Sequence, residues 1–144
     1  MAPKLLVEPD IEFGKRLLED LDRRDVRIDA ALWVYDPDSE KYRLVISSED
    51  VDTRGARPIY AEIQKVMEAY PEDERRRFWD IAVTSPSTSV VAALSTAIHT
   101  SRTETRSIRI TDRVVNRELI EDAYVYRMSL GTAPTDVEVQ RGNT

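Results

Sequence analysis

The sequence predicts an α/β chain of the α+β kind. It reads as one domain, a mixed sheet of about five strands covered by three helices, in the order α-β-β-α-β-α-β-β. Three observations carry that expectation. Apolar residues recur at helical spacing in two charged segments, and Val, Ile, Leu and aromatic residues cluster in short runs of strand length. Turn-forming Pro, Asp, Asn and Ser separate these segments. Finally, 33% of the residues are charged, yet none of the 21 from Ile81 to Ser101 is, which marks a stretch that burial or contact has stripped of charge.

The first helix is expected over Glu8 to Arg24, where Ile11, Gly14, Leu17, Leu18 and Leu21 form one face. Glu12, Lys15, Glu19, Asp22 and Arg23 alternate in sign on the other, as a solvated face does. Ala30–Tyr35 and Tyr42–Ser47 are strands around a turn, Asp36–Lys41, and together make a hairpin. Arg57 to Tyr70 is a second helix with Ile59, Ile63, Val66, Met67 and Tyr70 inward, Pro58 in its first turn and Pro71 after its end. Glu72–Arg77 is a charged connector, and Phe78–Val83 a strand. Ser85 as N-cap and Pro86 at the first helical position start a third helix running to about Thr100. Arg106–Ile110 and Leu119–Tyr126 are the last strands, around a turn containing Asp112 and Asn116. The two hairpins are expected to be antiparallel and the strand-helix-strand steps parallel. The globular domain is expected over residues 1–128, with 129–144 a disordered tail of little apolar content.

Composition narrows the function classes. The 144 residues include 41% hydrophobic residues with two Trp, two Phe and six Tyr, enough for a core without staples. A formal charge of −6 repels polyanions, so general binding to nucleic acid or an anionic membrane is not expected. The absence of Cys removes disulfides and thiolate chemistry and fits a cytoplasmic protein. Met1–Pro9 lacks the pattern of a signal peptide, and nine Ser or Thr residues in the charge-free run argue against a membrane span. One His and no Cys exclude a Cys/His zinc site within the chain. The four glycines are isolated, so no phosphate-binding loop, dinucleotide turn or nucleophile elbow can be written. No metal, cofactor or catalytic residue is expected, and no constellation resembles a characterised family.

The remaining candidates compete with structural roles. Asp36, Asp38 and Glu40 could ligate calcium, but Lys41 stands where such a loop needs Gly, and a turn is preferred. Glu49, Asp50 and Asp52 read as a solvated acidic loop. Arg75–Arg77 before Phe78 and Trp79 suggest nucleic-acid contact, but Glu72–Glu74 neutralise them. Thr84, Ser85, Ser87 and Thr88, at a helix start, could hold an anion or nucleotide if the fold brings Arg102 and Arg106 across. Ala92, Ser95, Thr96 and His99 make the uncharged side of the third helix, where a subunit could approach closely. The alternative is that this helix is internal, beneath the first. The expected function is therefore non-catalytic association, as a homodimer or a small subunit of a larger assembly. An anion-binding domain or an accessory protein of a nucleic-acid system stand as alternatives.

Overall fold

The structure, a computed structural model, describes residues 6–130. The elements are α1 (Glu8–Arg23), β1 (Ala30–Asp36), β2 (Lys41–Ser47), α2 (Asp50–Arg54), α3 (Arg57–Met67), α4 (Glu72–Arg75), a 3-10 turn (Arg76–Asp80), β3 (Ile81–Thr84), α5 (Ser89–Leu94), β4 (Ile108–Val115) and β5 (Glu118–Met128). They form one α+β domain on a five-stranded mixed sheet of order β3-β2-β1-β5-β4. Only the β2/β3 pair is parallel. Among the described residues no helix is long and apolar enough to cross a membrane.

Period-two alternation gives the sheet two buried faces. Ala31, Trp33, Leu44, Ile46, Ile81 and Val83 point to one, under Phe13, Leu17, Leu18 and Leu21 of α1 and Ile59, Ile63, Val66 and Met67 of α3. Ala30, Leu32, Val45, Ala123, Val125 and Met128 point to the other, under Val91 and Leu94 of α5. Burying this much apolar side chain at roughly 25 cal/mol per Å² is the main source of stability. A bulge links the layers. Ala31 opposes Arg127 while Leu32 opposes Val125, so Tyr126 is the extra residue. Both Tyr126 and Arg127 therefore reach toward α1, Tyr126 to the Ile11 carbonyl and Arg127 to Asp22.

Several expectations are corrected. The step from β3 to β4 is not a parallel crossover: the pairings set β4 antiparallel to β3, at the opposite edge. The helix expected from Ser85 to about Thr100 is only Ser89–Leu94, preceded by Thr88 rather than capped by Ser85. The Ser95 and Thr96 hydroxyls donate to the carbonyls of Ala92 and Ala93, a competition that weakens helices. Thr100 is taken by the sheet end, its amide donating to Met128 and its hydroxyl accepting from the Met128 amide. Phe78–Asp80 are in the 3-10 turn rather than in β3, because Phe78 packs edge-on against Tyr60 and Arg77 pairs with Asp10. Asp112 lies within β4 at φ 49°, and the hairpin turn is Asn116-Arg117, both at positive φ, as a two-residue type I′ turn requires. The acidic stretch after β2 forms the short helix α2, closed by Gly55 at φ 78°. At the C-terminus, Ser129 donates to the Asp29 carbonyl and Leu130 is buried; the rest of the expected tail, 131–144, lies outside the described residues.

Candidate functional site

α5 is the one helix over the second face of the sheet among the described residues, so it has an inner and an outer side. Val91, Ala93 and Leu94 are buried inward. Val90, Ala92, Ser95 and Ile98 are half-buried, while Ser89, Thr96, Ala97 and His99 are exposed. α1 lies across the sheet on the other face, so α5 is not packed beneath it. The hydroxyls of Ser95 and Thr96 donate back to their own turn at 2.7 Å, and this outer surface of Ala, Ser, Thr, Ile and His side chains carries no Asp, Glu, Lys or Arg.

That surface runs into a groove of about 350 Å³ at the β4 edge, lined by Ala97, Ile98, Ile108, Ile110 and Val115, with Arg109 and Arg113 beside it. The Ile residues alternate along β4 with Arg109 and Thr111, which the pleat directs to the opposite face. There Arg109 is fixed by two bonds to Asp122, 2.6 and 2.7 Å long, and Asp122 also accepts from the Tyr42 hydroxyl. Burial pushes the Asp122 carboxyl up, but the bonds from Arg109 and Tyr42 outweigh it and hold it below its ordinary range. Burial and the Asp122 bond push the Tyr42 phenol up to about 12. The signs set two pH windows. The Asp122 contribution is present above the ordinary carboxylate pKa of about 3.9 and is lost as pH falls through its depressed value. The Tyr42 contribution is complete below about 10 and is lost as pH rises through about 12. Tyr42→Phe is therefore expected to remove one late-ionising phenol from an ultraviolet titration and to flatten the stability loss between those two values. Loss of a phenol that ionises near the ordinary value of about 10 instead would place Tyr42 in water.

The structure disperses the expected anion cluster. Thr84 ends β3 at one edge of the sheet. The Ser85 hydroxyl lies 2.7 Å from Asp52 Oδ1, so a carboxylate stands where an anion would approach. The Ser87 amide donates to the Ser85 hydroxyl and the Thr88 hydroxyl to the Ser85 carbonyl, which makes Ser85–Thr88 a self-bonded turn. Thr84 Oγ1 and its cross-strand neighbour Ser47 Oγ are buried without partners. Arg106 is tied to β5 through its amide and to Glu104 through its guanidinium, and Arg102 borders a cavity with Asp22 and Arg127. These arginines flank β5 and β4, three to four strand spacings or roughly 14–19 Å across the sheet from β3.

The other candidates have structural partners. Asp36 accepts from the Asp38 amide and the Ser39 hydroxyl, Glu49 pairs with Arg27, Arg77 with Asp10, and Arg75 donates to the Tyr70 carbonyl. Trp79, expected within a strand, is instead 77% exposed on the 3-10 turn beside a cavity of about 380 Å³ lined by Met67, Arg75 and Phe78. A signal was present, since adjacent aromatics cannot share one face of a strand. The exposed Val114 and Leu119 pair across the hairpin tip was missed by sequence reasoning. Comparison with protein-family models, curated proteins and solved structures finds no match to this chain.

Proposed function

We propose that this protein works by association rather than catalysis, as a homodimer or a small subunit of a larger assembly in the cytoplasm. The observation that carries this reading is the uncharged outer side of α5, continuous with the apolar groove at the β4 edge. A third of this chain is charged, and an outer helix surface without a charge is what close approach of another protein requires. A second copy meets no like-charge repulsion there. Asp52 beside Ser85 weighs against the anion-binding alternative.

Light scattering on a size-exclusion column, over a range of concentrations, tests the reading. The expected result is a stable dimer that Thr96→Glu converts to monomer. Thr96 is exposed and bonds only to its own turn, so the variant monomer should unfold within about 0.5 kcal/mol of the parent fold. A parent chain that is monomeric at every concentration rules out the homodimer.

A further inference from the structure

A cavity on the face of the sheet opposite α5 collects charged groups from three separate parts of the chain. Its volume is about 280 Å³, and it is lined by Asp10 of α1, Trp33 of β1, Lys41 and Tyr42 of β2, and Arg77 and Asp80 of the 3-10 turn. Trp33, Tyr42 and Asp10 are buried and form its floor. The Lys41 and Asp80 side chains, 45% and 31% exposed, stand at its mouth. Ligand pockets start at about 300 Å³, so an occupant of this cavity has few heavy atoms.

The charged groups differ in what they leave free. Asp10 is fully engaged, one carboxylate oxygen accepting from Arg77 and the other from the Val7 amide. Arg77 gives Asp10 one of its N–H donors and is held over the Phe13 ring, 5.5 Å from its centroid, while its other donors make no hydrogen bond among the described residues. The Lys41 ammonium and the Asp80 carboxylate are 3.8 Å apart, beyond hydrogen-bond length, and neither side chain makes a hydrogen bond among the described residues. One small space therefore offers free donors on two cations and a free carboxylate.

That set of groups selects a ligand by sign. A simple anion would meet Asp80, a simple amine or a metal ion would meet Lys41 and Arg77, and an apolar molecule would take all of them out of water without a partner. A molecule with both charges close together satisfies every group. Peptide termini do not carry the two charges on one carbon; a free α-amino acid does. We propose that this cavity binds a free α-amino acid, its carboxylate accepting from Lys41 and Arg77, its ammonium donating to Asp80, and its side chain lying against Trp33 and Tyr42. Charge-assisted bonds of this kind are the strong ones. The site is on the other side of the sheet from α5, so it stands or falls apart from the association reading.

The test is a proton–nitrogen NMR titration of the full chain with each common amino acid in turn, followed at the amides of Lys41, Arg77 and Asp80 and at the Trp33 indole. At least one amino acid is expected to shift these signals saturably at millimolar concentration or below, while acetate and methylamine at the same concentrations do not. Lys41→Met and Asp80→Asn should each weaken that binding by about tenfold or more. Both side chains are partly exposed, so both variants are expected to keep the parent's urea midpoint. The inference is overturned if no amino acid gives a saturable shift, if acetate or methylamine alone does as well, or if either variant binds as tightly as the parent.

Discussion

Asp22→Ala is expected to destabilise the fold by about 3 kcal/mol, with the cause lying in the residue left behind. Arg127 is 1% exposed, and its guanidinium forms two bonds to Asp22, 3.0 and 2.8 Å long. It also donates to the carbonyls of Glu104 and Ile28. Without Asp22 a buried charge keeps only those two neutral acceptors, and breaking such pairs costs about 3–5 kcal/mol. The lower end applies because the Asp22 side chain is 34% exposed, which lets water take part of its place. Arg127→Met should cost less, since it removes the charge with its partner's need and keeps much of the volume, while Asp22 can hydrate. Urea unfolding of both variants checks the order. If Arg127→Met proves the more damaging, the bonds to Glu104 and Ile28 outweigh the ion pair.

This pair shows what a linear reading can and cannot reach. The helical face of α3 was legible because Ile59, Ile63, Val66 and Met67 follow the helix repeat and are all buried; Tyr70, expected in the same helix, is buried too but lies past its end at Met67. β1 and β2 were legible because aromatic and β-branched runs flank a Pro/Asp turn. Arg127 was not, because only a bulge, invisible in the period-two pattern, turns it toward α1. The length of α5 was misread because Ser and Thr bonding to nearby carbonyls leaves the apolar spacing intact while ending the helix. For the candidate site, the uncharged face of α5 could be read from composition alone. The groove beside it could not, since Ile98 and Ile108 meet only once strand order makes β4 an edge next to that helix.

Gly14→Ala should reverse the usual helix trend. Inside a helix the change normally stabilises by about 1 kcal/mol, because glycine spends more backbone entropy on folding. Here an added Cβ would stand 2.7 Å from Tyr126 Cζ and 2.8 Å from Cε2, and closer still to the hydroxyl. Tyr126 has little room to yield: it is 1% exposed, its hydroxyl donates to the Ile11 carbonyl at 2.7 Å and accepts from Trp33 Nε1 at 3.0 Å, and the bulge fixes its backbone. Overpacking of this kind costs about 1–3 kcal/mol, and the upper part is expected because helix, ring and indole must shift together. Tyr126→Phe alone loses two hydrogen bonds at about 1 kcal/mol each, although Trp33 keeps its second acceptor, the Asp10 carbonyl. Combining the two removes the closest contact along with the bonds that pin the ring, so the double variant should be more stable than the sum predicts by about 1 kcal/mol. A denaturation cycle measures that coupling. Strict additivity would mean that the ring does not press on the helix, and that the bulge sets the position of Arg127 without also setting how closely α1 approaches the sheet.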